Sequence, residues 1–346
     1  IERIRNILII EYRKNRNLLF GGKKMKSILK RFLVLLFMAA LFPTGKTEAK
    51  SYEIKRISGD NRYETAVEIS KASFKSSQTA VLAFGGNYPD ALVGGTVATQ
   101  IKAPLLLTGS EELPSVVKEE LKRLNVEKIY ILGGTGVVSE RLEESIRKDY
   151  TVYRLGGRNR YFTARDINFE RQRLANVVQE IGDWRMYSVV SNNNFPDALT
   201  ASPLVGQLPI HREAIHTMNM TGGFLMMPRW KNTIDYGFYT MGGFNAVPYD
   251  PVEDVGAFFG ERIMGSNRYA TAAAVAELYP KRLQKKIDTV VLADGLNYPD
   301  ALSSAPFVGQ QNAVLLLTDP NKLPKETKEY IKNHNIQKIE ILGGEK

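Results

Sequence analysis

The chain of 346 residues contains no cysteine and only three histidines, His211, His216 and His334. The absence of cysteine excludes disulfides, thiolate zinc sites and cysteine nucleophiles. His211 and His216 are five residues apart, which misses the i, i+4 spacing of a helical zinc motif. The sequence also lacks the Gly-x-Ser-x-Gly motif of serine hydrolases. These absences predict a protein with no metal centre, no cofactor and no identifiable catalytic residue.

Basic charge is scarce beyond the first 49 residues, although the formal net charge of the whole chain is +10. Residues 1–49 hold 11 Lys and Arg against 3 Asp and Glu, which leaves 36 against 34, or +2, for residues 50–346. A protein that binds duplex nucleic acid needs a concentrated basic face. We therefore expect no nucleic-acid partner.

The segment from Met25 to Ala49 has the pattern of a secretory signal peptide. Basic residues in MKSILKR precede an apolar run from Phe32 to Phe42, and the small residue Ala49 closes the segment. This run of 11 residues is shorter than the roughly 20 that span a bilayer. We therefore predict a secreted protein, cleaved near Ala49 and free of the membrane afterwards. Residues 1–24 are predicted to be upstream sequence included by a mistaken start.

Three landmark motifs each occur three times, always in the same order. Asn-Arg-Tyr begins at Asn61, Asn159 and Asn267. Asn-aromatic-Pro-Asp-Ala-Leu begins at Asn87, Asn194 and Asn297, and Gly-Gly begins at Gly133, Gly242 and Gly343. The Asn-Arg-Tyr motifs are 98 and 108 residues apart. Self-similarity at such a period is typical of repeated modules. We predict three modules, at 51–153, 154–262 and 263–346.

Short apolar runs alternate with amphipathic ones in the first module. The pattern predicts strands at Tyr52–Ile57, Ala80–Phe84, Pro104–Thr108 and Lys128–Leu132, and helices from Asn61, from Pro89, over Pro114–Leu124 and over Ser139–Lys148. Strands that alternate with helices at this spacing favour an α/β fold with a mostly parallel sheet covered on both faces.

The second and third modules depart from this pattern. Between Gln207 and Trp230 the second module has no clear apolar strand followed by a helix that starts at Leu-Pro, so we treat it as divergent. The third follows the first as far as Gly343-Gly344 and is C-terminally short, because it ends at Lys346 without the counterpart of the helix at Ser139–Lys148. We expect incomplete packing there or a truncated gene product.

These motifs, with the APLLLT strand and the strand end ILGG, resemble the type 2 cell-wall-binding repeat of clostridial surface proteins over about Ser51 to Lys346. The resemblance implies three Toprim-like α/β modules around a pseudo-threefold axis, and non-covalent attachment to an anionic wall polysaccharide. The family's Pro-Ile-Leu-Leu strand is matched loosely at Pro104–Leu107. It loses its proline at Val314–Leu317 and is doubtful around Phe224–Met227.

Three groups of residues are candidates for binding a wall polymer. The first group is the recurrent arginines, because a guanidinium forms paired bonds with phosphate or carboxylate; structural ion pairs between repeats explain them equally well. The second is the asparagines and aspartates of the Pro-Asp-Ala-Leu motifs, which either start helices or meet sugar hydroxyls. The third is the end of the Leu-Leu-Leu-Thr strand. The residues are Arg62, Arg160, Arg268, Asn87, Asp90, Asn194, Asp197, Asn297, Asp300, Leu105, Leu106, Leu107 and Thr108.

The predicted function is non-catalytic anchoring at the cell surface through an anionic wall polysaccharide, with other surface proteins as possible further partners. The three modules occupy residues 51–346 and leave no part of this chain for a hydrolase domain. The alternative is a peptidoglycan hydrolase or N-acetylmuramoyl-L-alanine amidase, or a modifier that targets one to the wall. A third interpretation is a surface-layer component that assembles without polymer.

Overall fold

The computed structural model describes residues 51–175, 185–191, 193–208, 214–220, 236–248 and 259–345. The predicted leader and the segment Phe224–Met227 lie outside these residues. The described residues from Tyr52 onward form one compact unit. No helix in the described part of the chain has both the length and the apolar character needed to cross a bilayer.

Strands and helices alternate through the first repeat, as the apolar pattern predicts. They are β1 (Glu53–Ile57), α1 (Arg62–Ser73), β2 (Thr79–Phe84), α2 (Pro89–Gln100), β3 (Leu105–Thr108), α3 (Ser115–Arg123), β4 (Lys128–Leu132) and α4 (Glu140–Arg147). The second repeat contains β5 (Thr151–Leu155), α5 (Arg160–Leu174), β6 (Arg185–Ser191), α6 (Pro196–Gln207), β7 (Ala214–Met220) and β8 (Tyr236–Met241).

The third repeat contains β9 (Phe259–Ile263), α7 (Arg268–Ala276), α8 (Leu278–Leu283), β10 (Thr289–Asp294), a 3₁₀ turn (Pro299–Ala301), α9 (Ser304–Gly309), β11 (Ala313–Thr318), α10 (Lys325–Asn333) and β12 (Lys338–Leu342). Its first helix is divided in two, whereas α5 is continuous over 15 residues. Pro280 accounts for the break, because proline has no N–H to bond to Ala276 and its ring clashes with that carbonyl.

The three Asn-Arg-Tyr asparagines start equivalent helices, which confirms their predicted role as N-caps. The side-chain oxygen of Asn61 accepts hydrogen bonds from the N–H groups of Tyr63 and Glu64. Asn159 and Asn267 cap α5 and α7 in the same way. Such a cap satisfies N–H groups that have no partner within the helix.

Each repeat contributes to a four-stranded sheet in which every strand pair is parallel, and the strand orders are β3-β2-β4-β5, β7-β6-β8-β9 and β11-β10-β12-β1. The fourth strand of each sheet is therefore the one that precedes the next Asn-Arg-Tyr helix along the chain. For the third sheet that strand is β1, which pairs in register with β12 from Glu53 opposite Lys338 to Ile57 opposite Leu342. The sequence assigns β1 to the first repeat, but its hydrogen bonds join it to the third.

The first sheet is buried on both faces. Along β3, Leu105 and Leu107 pack in a cluster that includes residues of all three repeats, while Leu106 packs in a second cluster with α3 and α4. Alternate residues of a strand point to opposite faces, so a run of leucines suits a sheet covered on both sides. The shared cluster gives the three repeats one continuous core.

Helices α2, α6 and α9 pack against one another in the shared core. Residues from equivalent places in the three repeats meet there: Leu92, Leu199 and Leu302 are all nearly fully buried. A β-carbon added at Gly95 would lie 2.4 Å from Ser202 Oγ and 2.7 Å from the Ala305 β-carbon. Small residues at these positions therefore allow the helices to approach closely.

The second repeat fills the expected third strand position with β7, which pairs in parallel with β6 as β3 does with β2. This strand is Ala214–Met220, with the sequence AIHTMNM. It lies before the segment Phe224–Met227, in which the resemblance to the family leads one to look for it. Its residues are not a continuous apolar run, and that is why the pattern does not reveal it.

Candidate functional site

The Asn-aromatic-Pro-Asp-Ala-Leu motifs lie at the carboxyl ends of β2, β6 and β10. Parallel α/β sheets place ligands at this end of their strands. Asn87, Asn194 and Asn297 are exposed, and the side-chain oxygen of each accepts a hydrogen bond from the next N–H, at 2.9, 3.0 and 3.2 Å. Each asparagine is thus exposed in a loop that its own side-chain oxygen helps to hold.

The aromatic residues of the same three motifs gather at one place. The ring centroids of Tyr88 and Tyr298 are 5.2 Å apart, those of Phe195 and Tyr298 5.5 Å, and those of Tyr88 and Phe195 6.2 Å. The interplanar angles lie between 58° and 66°, which suits the edge-to-face preference of aromatic rings. The three loops are therefore held next to one another at the N-terminal ends of the central helices.

The aspartates of the motifs connect one repeat to the next. Asp90 is hydrogen-bonded to Thr163 and attracted by Arg160, both at the start of the second repeat. Asp197 is attracted by Arg268 of the third repeat. Asp300 accepts a hydrogen bond of 3.2 Å from Thr65 Oγ1, which returns the contact to the first repeat. Each aspartate also lies in the first turn of its helix, so its structural role is a bridge as well as a helix start.

The Gly-Gly pairs form tight turns beside these aspartates. Gly133, Gly242 and Gly343 have φ values of 95°, 125° and 100°, a region that favours glycine. A β-carbon added at Gly133 would lie 2.6 Å from Asp90 Oδ2, and one at Gly242 would lie 2.6 Å from Asp197 Oδ2. Both the backbone conformation and the closeness of the carboxylate therefore require glycine.

A second set of three arginines holds these turns, and it lies outside the residues that the motifs single out. Arg56 donates to the Gly343 carbonyl at 2.8 Å, Arg154 to that of Gly133 at 2.8 Å and Arg262 to that of Gly242 at 2.9 Å. Each arginine stands five residues before an Asn-Arg-Tyr motif. That constant spacing was the signal by which the sequence could have identified them.

The predicted arginines have partners inside the protein. Nη1 of Arg62 donates to the Gly85 carbonyl, and Nη1 of Arg268 donates to that of Gly295 at 2.5 Å. Arg160 and Arg268 also face the aspartate of the preceding repeat. All three side chains are half-buried. The arginines thus have the structural contacts that one interpretation of the sequence expects, and each keeps part of its surface accessible.

A cleft of about 610 Å³ lies between the first and second repeats. Its walls bring together three of the predicted residues, Asn87, Asp90 and Arg160. Arg154 and Arg158 line it as well. The cleft is therefore built from two repeats, and neither repeat supplies it alone.

The end of β3 does not belong to this site. Leu105, Leu106, Leu107 and Thr108 are at most 1% exposed, and the Thr108 hydroxyl donates to the Glu112 carbonyl at 3.3 Å. The sequence predicts that these side chains contact a polymer, and their burial shows that this prediction is wrong. They stabilise the sheet from which the neighbouring loops emerge.

Burial sets the ionisation of two bridging aspartates. Desolvation raises the pKa of Asp90, against the opposing effects of the Thr163 hydrogen bond and the Arg160 charge. Desolvation also raises the pKa of Asp197 from 3.8 to about 6, while the charge of Arg268 lowers it. The protonated form of Asp197 is thus favoured more by the folded protein than by the unfolded chain.

Asp197→Asn should change how stability depends on pH. In the parent, the contribution of Asp197 is present below pH 4 and is lost as the pH rises through 6, because the folded state holds the proton more tightly. Relative to the variant, the parent should lose up to about 3 kcal/mol of unfolding free energy between pH 4 and pH 7. Urea unfolding across this range measures it. Asp149→Asn, at an exposed aspartate, is the control, and equal pH profiles for Asp197→Asn and the parent would contradict the prediction.

Within the described ranges, no group of three or more His, Asp or Glu side chains is arranged to hold a metal ion. The polar groups that line the cleft between the first and second repeats include the Asn87 amide, the arginines Arg154, Arg158 and Arg160, and the bridging Asp90. The asparagine amides and the arginines can donate hydrogen bonds to hydroxyls and oxyanions.

Comparison with known proteins places this architecture among wall-associated proteins. A sequence profile described as cell wall binding domain 2 matches residues 56–143 and 262–346, which together are half of the chain. Over 294 residues the chain is 28% identical to N-acetylmuramoyl-L-alanine amidase LytC of Bacillus subtilis strain 168, covering 84% of this chain and 55% of that protein. Over 313 residues it is 26% identical to the amidase enhancer of the same organism, covering 88% of this chain and 40% of that protein. The chain thus spans about half the length of these curated relatives.

Two solved structures from Clostridium difficile share the fold. Cwp6 superposes with a TM-score of 0.72 at 23% identity, covering 87% of this chain and 48% of Cwp6. Cwp8 superposes with a TM-score of 0.67 at 26% identity, covering 85% of this chain and 50% of Cwp8.

Proposed function

Because the chain belongs to the cell wall binding domain 2 family, we propose that it anchors itself non-covalently to an anionic polysaccharide of the wall and catalyses no reaction. Family membership and the Cwp neighbours indicate a place at the cell wall or surface and a wall polymer as the partner. The anionic nature of that polymer and the residues that bind it are our proposal.

We also propose that the three repeats are Toprim-like modules around a pseudo-threefold axis. Equivalent residues of α2, α6 and α9 meet in the core, and equivalent aromatic residues meet above them. The pairing of β1 with β12 supports a closed order, because it gives the third sheet the strand that the other two take from the following repeat. Head-to-tail contacts either close into a ring or leave an unsatisfied face at each end.

One observation carries the binding proposal: an arginine recurs at each junction between repeats, together with an exposed asparagine. Asn87 and Arg160 both line the cleft between the first and second repeats. By the equivalence of the motifs, Asn194 stands with Arg268, and Asn297 with Arg62. A single exposed ion pair contributes roughly 0 to 1 kcal/mol. Several sites engaged by one polymer raise retention by about 10² to 10⁴ through effective concentration.

The triple variant Arg62→Gln, Arg160→Gln, Arg268→Gln should lower retention on purified walls by at least about tenfold, and each single change should lower it less. Glutamine keeps polarity and removes the charge. Raising the salt from 0.15 M to 1 M should act in the same direction, because the screening length falls from about 8 to 3 Å. Co-sedimentation of the protein with intact walls measures both effects.

The matched control changes three exposed lysines outside the cleft walls, Lys118, Lys148 and Lys325, to glutamine. It removes the same charge and should sediment as the parent does. Since Arg62 and Arg268 also bond to backbone carbonyls, circular dichroism must show that the arginine variant is folded. A folded arginine variant that sediments like the parent would reject polymer binding by these arginines.

The similarity to LytC and to the amidase enhancer makes hydrolysis of peptidoglycan the competing function. The helices and strands in the described part of this chain all belong to the three repeats. A zymogram decides between the two functions, since an anchoring protein leaves the wall intact and a hydrolase clears it.

A further inference from the structure

Two positions beside the Asn-Arg-Tyr motif differ among the repeats, whereas the motif itself is constant. The residue before the asparagine is Asp60, Arg158 or Ser266 in the three repeats. The residue after the tyrosine is Glu64 in the first repeat, Phe162 in the second and Ala270 in the third. The same backbone site therefore carries an acidic pair, an arginine with a phenylalanine, or two small neutral residues.

In the first repeat these positions make the helix start acidic. Glu64 accepts hydrogen bonds from the Asp60 N–H at 3.0 Å and from Asn61 Nδ2 at 2.9 Å. The groove beside them is acidic overall, because Asp60, Glu64, Glu68, Glu119 and Glu120 line it against the two cations Lys71 and Arg123. A phosphate or carboxylate that approached Arg62 would meet this negative charge.

In the second repeat the same positions hold a guanidinium on an aromatic ring. The guanidinium of Arg158 lies 4.3 Å from the centre of the Phe162 ring, and that of Arg165 lies 4.7 Å from it. Stacking on a ring orients a guanidinium and leaves its N–H groups free to bond in the plane. Within the described part of the chain, Arg158 takes part in no salt bridge or hydrogen bond.

The cleft between the first and second repeats therefore has positive charge that the protein does not neutralise. Arg154 is paired with Glu143 at 2.6 Å, and Arg160 faces Asp90. Arg158 is exposed and lines the cleft without a carboxylate partner among the described residues. Asn87 adds an exposed amide on the opposite wall.

We propose that the cleft between the first and second repeats is the tightest of the oxyanion subsites of this protein, because Arg158, stacked on Phe162, binds a phosphate or carboxylate group of the polymer there in addition to Arg160. The inference rests on the proposed function and adds to it that the three junctions are not equivalent. The junction at Asp60 disfavours an anion, and the junction at Ser266 lacks the arginine.

The test is binding of small anions to the whole purified protein in a chloride buffer without walls. Inorganic phosphate and acetate are titrated separately, and the arginine Nε–H resonances are followed by NMR. One saturable site should shift the Arg158 resonance, and the tighter of the two anions identifies the oxyanion. Arg158→Ser places there the residue that the third repeat has, and it should weaken binding at least about tenfold, the effect of one charged hydrogen bond.

Arg141→Ser removes an exposed arginine outside the cleft and is the matched control. The double variant Ser266→Arg, Ala270→Phe transfers the pair to the third repeat and should add a second site. Equal anion binding by Arg158→Ser and Arg141→Ser would overturn the subsite. A double variant that still binds only one anion per protein molecule would overturn it as well. If the parent binds neither anion yet sediments with walls, only this inference fails. If it binds an anion and does not sediment with walls, the anchoring function fails instead.

Discussion

Deletion of residues 51–57, which include β1 (Glu53–Ile57), is expected to cost at least about 4 kcal/mol of unfolding free energy and to abolish retention on walls. Ile57 is 4% exposed and packs in the shared core, and loss of a buried isoleucine side chain alone costs about 2 to 5 kcal/mol. The deletion also leaves the Gly343 N–H without its bond to the Ile57 carbonyl. Thermal unfolding followed by circular dichroism measures the loss.

A circular permutant separates the strand from its place in the chain. It begins at Ser58, continues to Gly344, repeats the connection Thr135–Tyr150 and ends with residues 51–57. In the first sheet that connection carries the chain from β4 to the parallel strand β5, so it should deliver β1 to β12 in the same way. The permutant should recover most of the stability that the deletion loses. A deletion variant with the parent's thermal midpoint would show that β1 does not close the third sheet.

Gly95→Leu should be the most damaging single substitution in the centre of the protein, with an expected loss of more than about 3 kcal/mol. The first carbon of the new side chain would already overlap Ser202 Oγ and the Ala305 methyl. Since the three central helices share one core, α2 cannot move away without separating the others. Urea unfolding measures the change. Gly136→Leu, where an added β-carbon meets nothing within 4 Å, should stay within about 1 kcal/mol of the parent.

A compensating pair of substitutions tests whether crowding between the central helices causes the loss of stability at Gly95. Gly95→Ala adds one methyl group beside Ala305, and Ala305→Gly removes the methyl that it meets at 2.7 Å. The double variant moves one methyl group from α9 to α2. Because one glycine becomes alanine and one alanine becomes glycine, the helix-propensity difference between them, about 1 kcal/mol, roughly cancels. We expect it to be more stable than the sum of the single changes predicts. Strict additivity would contradict direct contact between these positions.

Most local structure could be predicted from the sequence, because local chemistry decides it. The apolar run Lys128–Leu132 is the strand that the pattern predicts, and Asn61 caps the helix that it was expected to cap. Where the local signal is weak the prediction fails. The segment Ala214–Met220 mixes polar and apolar residues, and only its pairing with β6 identifies it as a strand.

The candidate site was predicted less completely, because it is assembled between repeats. The sequence predicts Asn87, Asp90 and Arg160 as separate motif residues, and the structure brings them into one cleft. The motifs do not indicate Arg154, although its spacing from Asn159 recurs in every repeat. The side chains of Leu105–Thr108 are candidates because they lie near a strand end, but they are buried.

The sequence by itself determined the threefold recurrence of the motifs, the order of strands and helices in the first repeat, and the residues at which the first helix of each repeat begins. These depend on contacts within a few residues, such as the hydrogen bond that the Tyr63 N–H donates to Asn61 Oδ1. Only the tertiary structure decided that β1 completes the third sheet and that Asp300 bonds to Thr65. These contacts join residues more than 200 positions apart, and they depend on the packing of three repeats into one core, which no periodicity along the chain records.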